Sequence, residues 1–245
     1  FNIGFNRNRV TELYGGKPEL KGLKRLEEGR DMDEWYLREW AGVDPANGSP
    51  LWYTTDENGK RTTTDSYNKA DRVYCGSAAP KFTGGWMNSF SYKGFTLTAN
   101  FDFVYGNLLY NQSRELLDSD GAYADYNSMK LKSGWKRWEK EGDIATHPKA
   151  INGGNKNSNK SSSRYLEKGN YFSLRNLSLG YSIPEKLCGK LGLQRVNVSC
   201  SADNLFTLTP FSGVSPQLSD SSTDGYAGTI YPLSRRIVFG LNVSF

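Results

Sequence analysis

The chain has 245 residues, 37% hydrophobic and 13% aromatic, with 26 glycines and a formal net charge of +5. That length admits one or two domains with a sizeable core. Mean hydropathy is −0.65, and no apolar run approaches the ~20 residues of a membrane-spanning helix; the charge is too mild and too scattered for a nucleic-acid partner. Low hydropathy leaves transmembrane barrels open, because their strands are only half apolar and polar loops dilute them further.

Phe1, Ile3 and Phe5 alternate with Asn2, Gly4 and Asn6, the period of two of a β-strand, and a first strand is expected over residues 1–10. The chain opens inside this strand with neither an initiator Met nor a signal-peptide pattern, which points to the tail of a longer chain. Residues 14–79 read as a long polar segment, with a strand at Trp35–Gly42 and turn signals at Asp44-Pro45-Ala46-Asn47-Gly48 and Asp56-Glu57-Asn58-Gly59. Alternation returns at 81–92 through Phe82, Trp86, Phe90 and Tyr92, and Lys93-Gly94 makes a tight turn into a strand at 95–106. In that strand Phe95, Leu97, Ala99, Phe101, Phe103 and Tyr105 take one face, and Thr96, Thr98, Asn100 and Asp102 the other.

Residues 107–163 form a second excursion, with short helices expected at Arg114–Leu117 and Tyr126–Trp138 and a flexible solvated run from Asn152 to Lys160. The strand at 171–183 carries Leu177, Leu179, Tyr181 and Ile183 on one face. Phe172 and Leu174 fall on the opposite parity, which a β-bulge or the strand's exit from a membrane would explain. A short turn at Pro184–Leu193, with room for one helical turn, leads to a strand at 194–208. A third polar segment, 210–233, precedes the last strand, 235–245, where Ile237, Phe239, Leu241, Val243 and Phe245 alternate with Arg236, Gly240, Asn242 and Ser244 among the intervening positions.

Six strands are thus joined alternately by short and long connections, with every long one (14–79, 107–163, 210–233) on the same side. Outer-membrane barrels sort their loops this way, and a soluble sandwich has no reason to. The fold class is therefore all-β, a transmembrane antiparallel β-barrel segment with long extracellular loops. Its expected lipid-facing wall is Phe95, Leu97, Phe101, Phe103, Ile237, Phe239, Leu241 and Val243, with Thr96, Thr98, Asn100, Asn197, Ser199, Asp203 and Asn242 turned inward. Tyr92, Tyr105 and Tyr181 suit the interfacial girdle. Six strands fall below the ~8 of the smallest such barrels, so a curved sheet with two open edges is expected.

Little in the chain points to catalysis. His147 is the one histidine, which removes any Ser/His or Cys/His dyad and any His-rich metal site; it reads as a solvated loop residue. Carboxylates at Asp118-Ser119-Asp120-Gly121 with Asp125, and at Asp56–Gly59, lack the full spacing of a calcium loop, so turn chemistry explains them and no metal or cofactor is assigned. Cys75, Cys188 and Cys200 fall in an outer loop, an inner turn and the wall, and no disulfide is expected. Trp35, Trp40, Trp52, Trp135 and Trp138 are the ligand- or lid-contact candidates, since aromatic faces stack on sugars or hold peptides; the competing reading is that they pack loop against loop.

Longer motifs carry a family resemblance. Gly42-Val43-Asp44-Pro45-Ala46-Asn47-Gly48-Ser49-Pro50-Leu51-Trp52-Tyr53, then Pro80-Lys81-Phe82-Thr83-Gly84-Gly85 and Tyr92-Lys93-Gly94-Phe95, resemble the C-terminal portion of SusC/RagA-type TonB-dependent transporters of Bacteroidota. So do Arg137-Trp138 with Gly142-Asp143 and Pro148, Arg164–Tyr171 with Leu174–Tyr181 and Pro184, Asn204–Thr209, and the terminal Phe245. The motifs cover nearly the whole chain in the family's own order. The resemblance implies the last six strands of a ~22-strand plugged barrel, with the signal peptide, TonB-contacting segment, plug and earlier strands upstream. It implies import of large nutrients, glycans or oligopeptides, across the outer membrane of a Gram-negative bacterium, and no enzymatic activity. The implied partners are a SusD-like surface lipoprotein acting as lid, the TonB complex, membrane lipid, the glycan or peptide substrate, and a second transporter–lipoprotein pair in a dimer. It also makes Phe245 an assembly signal. The alternative is a surface carbohydrate-binding β-sandwich, which would bury the apolar face of its strands against a second sheet.

Overall fold

Alternation with period two builds one antiparallel sheet of six strands: β1 (Asn2–Phe5), β2 (Phe82–Tyr92), β3 (Phe95–Tyr105), β4 (Tyr171–Ser182), β5 (Arg195–Leu208) and β6 (Arg236–Ser244), hydrogen-bonded in that order. The computed structural model describes residues 1–218, 225–228 and 230–245, and is all-β, about 44% strand and 9% helix. No helix among the described residues is long and apolar enough to cross a membrane. Paired residues share a face, so the register sets Phe95, Tyr181, Val198 and Leu241 in one row and Leu97, Leu179, Cys200 and Phe239 in another. Between them Thr96, Gly180, Ser199 and Gly240 line up on the other side.

Aromatic contacts tie the apolar face together across strands, with ring centroids 4.3 Å apart for Phe95 and Tyr181, 5.3 Å for Phe101 and Phe172, and 5.6 Å for Trp86 and Phe101. Phe101 is half-buried among these rings, and Phe103 among those of Phe1 and Phe82. No second sheet among the described residues covers the face: Phe239 is 79% exposed and Leu241 70%. A sandwich would bury both, so that alternative fails. β1 and β6 form the two edges, each with a single neighbour, and they do not pair with one another.

The first strand ends at Phe5, not at residue 10. Beyond it the backbone turns to the first outer loop: the Val10 N–H donates to Arg30 O at 2.8 Å, and Asn8 Oδ1 accepts from the Met32 N–H at 2.8 Å. The parity break in β4 is a bulge at Arg175. Leu174 faces Phe101 while Asn176 faces Asn100, so one extra residue lies between them. Across on β5, Asn204 and Leu205 occupy the gap, with Asn204 at φ 52°. One inserted residue reverses parity, which returns Phe172 and Leu174 to the same face as Leu177 and Leu179.

Short connections share one end of the sheet. Lys93 (φ 46°) and Gly94 (φ 86°) make the two-residue turn between β2 and β3, where a Cβ on Gly94 would stand 2.8 Å from Ser182 O. A helix at Glu185–Lys190 lies between β4 and β5, and the Gln194 N–H donates to Ser244 O at 2.9 Å, which puts the C-terminus at the same end. The three long connections leave from the opposite end, after Phe5, Tyr105 and Leu208.

These connections fold. The first forms a four-stranded sheet (Glu19–Lys21, Lys24–Leu26, Glu34–Arg38, Arg72–Ser77) and a three-stranded one (Trp40–Val43, Pro50–Thr55, Arg61–Thr64). A third small sheet joins Leu108–Asn111 and Leu166–Lys168 of the second loop to Tyr226–Ala227 of the third. In the second loop the helix spans Gln112–Leu117, but Tyr126–Trp138 forms none, interrupted by Gly134 at φ 85°. Of the third loop, 219–224 and 229 lie outside the described residues.

The hydrophobic core sits in these loops rather than on the wall: Trp35, Leu37, Ala78, Tyr110 and Tyr165 are its buried members. Trp35 packs 5.8 Å from Tyr110 and 5.3 Å from Tyr226, one ring from each loop, and its Nε1–H donates to Leu108 O at 3.0 Å. Trp35→Ala is expected to cost the loop body about 3–5 kcal/mol. Added trypsin should then cut within 14–79 faster while the wall strands keep their resistance; unchanged loop cleavage would refute the role of this ring.

Candidate functional site in the outer loops

Loop-on-loop packing takes most of the tryptophans. Trp35 and Trp52 are fully buried and Trp138 nearly so. Trp52 meets Trp40 and Tyr67 edge-on at 5.6 and 5.5 Å. Trp138 donates to Pro45 O at 2.9 Å and lies on Gly48, where a Cβ would come within 2.5 Å of the ring. Burial removes Trp35, Trp52 and Trp138 as stacking surfaces for a ligand in this structure. Trp40 and Trp135 are half-buried beneath cations: the Arg164 guanidinium lies 5.0 Å from the Trp40 ring and that of Arg114 4.4 Å from the Trp135 ring.

The acidic turn and the lone histidine, expected in solvent, are buried together. Asp118, Asp120 and His147 are each at most 2% exposed. Arg114 on the short helix donates to Asp118 Oδ2 at 2.9 Å and to Glu167 Oε1 at 3.0 Å. Arg137 reaches Asp120 Oδ1 at 2.6 Å, and Arg164 holds both oxygens of the same carboxylate, with Ser158 Oγ donating to it at 2.6 Å. His147 Nε2 donates to Asp118 Oδ2 at 2.9 Å, and its Nδ1 lies 2.8 Å from Thr146 Oγ1. Three arginines therefore face three carboxylates, and the two aspartates meet guanidinium groups where a calcium loop would meet a cation.

Asp120 adopts φ 52°, and Gly121 beside it follows at φ 90°, where a Cβ would stand 2.3 Å from Ile151 O. The run Asn152–Lys160 is pinned rather than free: Asn155 Nδ2 donates to Gly48 O at 3.1 Å and to Lys149 O at 2.9 Å, and Ser158 is fully buried. Local composition hid this, because Gly48 and Asp120, which hold Asn155 and Ser158, lie on distant segments.

A cleft of about 590 Å³ opens beside the network. Its walls are Leu117, Met129, Val214, Ile230, Tyr231 and Pro232, and its polar lining includes Asn111 and Arg114. A second polar site lies on the face of the wall opposite the aromatic rows. There Asp203 accepts from Asn176 Nδ2 at 2.7 Å and from Arg236 Nη2 at 2.7 Å, and Arg175 Nε stands 3.3 Å from Asp102 Oδ2. The cysteines are free thiols: Cys75 in an outer-loop strand, Cys188 in the inner helix and Cys200 on the apolar face of the wall.

Burial alone would push the Asp118 carboxyl up, but the His147 hydrogen bond and the Arg164 and Arg114 charges outweigh it and hold the group below its ordinary value. A lowered folded pKa stabilises the fold above the unfolded value of ~3.9 and stops doing so as pH falls through the folded value. Loop packing is expected to hold down to about pH 4 and to loosen progressively below it, measured by hydrogen exchange across 112–165. Asp118→Asn should flatten that acid limb; the same acid profile in the variant would remove Asp118 from the account. Asp120→Ala should cost roughly 3–5 kcal/mol by leaving Arg164 buried without its main partner.

No family model matches the chain. It is 28% identical over its full length to TonB-dependent receptor P3 of Formosa agariphila, covering 26% of that protein. It is 32% identical to TonB-dependent receptor P39 of the same organism over 71% of the chain and 17% of the relative. Among solved structures, the RagAB peptide transporter superposes on 99% of the chain with a TM-score of 0.81 at 26% identity, and the chain covers 26% of it. The RagAB peptide importer in the 'open-open' state gives a TM-score of 0.80 at the same identity. The chain thus spans about a quarter of the length of P3 and of the RagAB chain. Sequence and fold agree along essentially the whole chain: it is a barrel portion of a SusC/RagA-type TonB-dependent receptor.

Proposed function

We propose that this chain forms the C-terminal wall strands and outer loops of an outer-membrane, TonB-dependent importer of large nutrients, glycans or oligopeptides. The observation that carries this reading is a six-stranded sheet with an uncovered apolar face, two unpaired edges and three folded loops at one end. In hydrocarbon each unpaired backbone N–H or C=O costs several kcal/mol. β1 therefore takes a preceding strand and β6 the first strand of the complete barrel, closing a plugged barrel of ~22 strands.

On this reading Phe95, Leu97, Phe101, Phe103, Ile237, Phe239, Leu241 and Val243 face lipid, and Thr96, Thr98, Asn100, Asn197, Ser199, Asp203 and Asn242 face the lumen. The loop body faces outward beneath a SusD-like lipoprotein lid. The TonB complex acts through parts of the transporter that precede this chain, and two transporter–lipoprotein pairs form the dimer. RagAB is described as a peptide transporter with 'open-open' and 'closed-closed' states, which supports gated import and the oligopeptide branch of the substrate range. The relatives are receptors and transporters, consistent with a role that is not enzymatic.

Two outcomes follow from the wall. Phe101→Arg should destabilise folding into bilayers by about 2–4 kcal/mol, and Thr98→Arg far less; equal damage would reverse the assignment of faces. Deleting Phe245, or Phe245→Asp, should lower the amount of assembled transporter in the outer membrane while leaving every ligand contact intact. Normal assembly of both variants, read by heat-modifiable mobility of membrane fractions, would end its role as an assembly signal.

A further inference from the structure

The apolar face of the wall carries a groove. It lies at the end from which the long loops leave and holds about 460 Å³. Phe82 and Tyr105 border it on one side, Leu208 and Pro210 on the other. Ring packing opens it. Phe103 pairs with Phe172 and Phe172 with Leu208, so the three share one row of that face. The Phe103 ring leans over Gly84, where a Cβ would stand 2.4 Å from its Cζ, and stacks on Phe1 at 6.1 Å. The Phe172 ring stacks instead on Phe101, at 5.3 Å. These neighbours in the row turn apart, and the gap lies over Val104 and Tyr171, a pair on the opposite parity. The bordering strands β2, β3, β4 and β5 are each paired on both sides, so no strand that completes the barrel fills the groove.

Polarity changes along the groove. Toward the middle of the sheet its lining is Phe103, Phe172 and Leu208; toward the loops it offers hydrogen-bond donors and positive charge. Asn170 Oδ1 accepts from the Gly106 N–H at 2.7 Å, which fixes Nδ2 as the free end of that amide. Lys81 immediately precedes Phe82, and its stem crosses Gly106, where a Cβ would come within 2.6 Å of Lys81 Cγ. On the other border Lys132 Nζ donates to Pro210 O at 3.4 Å. Both lysines are exposed. The lysine ion pairs among the described residues are those of Lys24, Lys136 and Lys156, so neither ammonium group here has a counter-charge. No carboxylate lines the groove.

An apolar trough that ends in donors and unanswered cations has the polarity of an anionic amphiphile held with its head toward the loops. We propose that this groove is a specific site for a phosphorylated acyl lipid of the outer leaflet. One acyl chain lies over Val104 and Tyr171, and the phosphate is held at the loop end by Lys81, Lys132 and Asn170 Nδ2. The proposal rests on the reading of this face as the lipid-facing wall. It goes beyond that reading, because general contact with lipid needs neither a groove nor cations at its end.

The test uses the complete transporter carrying this chain, purified from the outer membrane in a neutral detergent and freed of lipid. The probes are lipid A, its dephosphorylated form and dimyristoyl phosphatidylcholine, with bound lipid counted by native mass spectrometry. Lipid A should bind tightest, and removal of its phosphates should weaken it about tenfold or more. Lys81→Gln and Lys132→Gln should each weaken lipid A about fivefold, the scale of one charge at a lipid surface, and leave the dephosphorylated form unchanged. That selectivity is an outcome that a general loss of folding would not produce. Lys93→Gln, at the opposite end of the wall, should change nothing. Leu208→Trp, which fills the groove from its border, should weaken both forms alike by about tenfold. Equal binding of the two forms, the same loss from Lys93→Gln as from Lys81→Gln, or full lipid binding in Leu208→Trp, whatever its oligomeric state, would each overturn the site. Those results leave the import reading standing; a transporter that never inserts in the outer membrane would instead remove the import reading itself.

Discussion

Cross-strand register is the constraint on which this chain depends. Paired residues share a face, so a slip of one residue would carry Phe239 out of the row of Leu97, Leu179 and Cys200 and into the row of Thr96, Gly180 and Ser199. Tight turns set that register at one end, Lys93-Gly94 above all, and the aromatic pairs hold it along the sheet. The two-sided character of the wall, the sorting of its loops and the open edges all follow from it. The exposed Phe239 and Leu241 have meaning only for a sheet whose apolar side is solvated by something other than water.

Period two is a local signal, and for that reason the wall was legible from the residues alone. β3 and β6 show it without interruption. It faltered where one residue was inserted: the parity change at Arg175 left a bulge and a membrane exit equally open, and the gap opposite it on β5 lies about thirty residues further along the chain. The end of β1 was misread for a related reason. Arg7, Asn8 and Arg9 permit an extended backbone, but whether they join the sheet is decided by Arg30 and Met32 in the loop.

The outer loops were opaque because their partners are far apart in sequence. The indole of Trp35 bonds to Leu108, that of Trp138 to Pro45, and the Trp40 backbone to Ser163. His147 and Asp118-Ser119-Asp120 looked solvated because a lone loop histidine and an acidic turn are polar groups with no partner nearby in the sequence. Arg114, Arg137 and Arg164 then close over them from three separate segments. A cluster of Arg and Asp scattered over fifty residues has no periodicity to betray it. Buried ion pairs add little net stability against desolvation, but they tolerate few alternative geometries. A loop body held this way has few alternative shapes open to it.

Arg114 shows how that rigidity is built. Asp118, Glu167 and the Arg164 carbonyl fix both of its terminal nitrogens, and the Trp135 ring lies 4.4 Å from its guanidinium. A side chain that would otherwise carry large rotamer freedom is thereby ordered before any ligand arrives. The same bonds leave Nε without an acceptor, next to an asparagine whose oxygen is stranded in the same way. Asp118 Oδ1 and Arg164 Nε are left without hydrogen-bond partners in the same way, so one fixed geometry is reached with several polar atoms unanswered. Each such atom costs desolvation that folding does not repay there, and the fixed packing of the surrounding rings and carboxylates has to offset it.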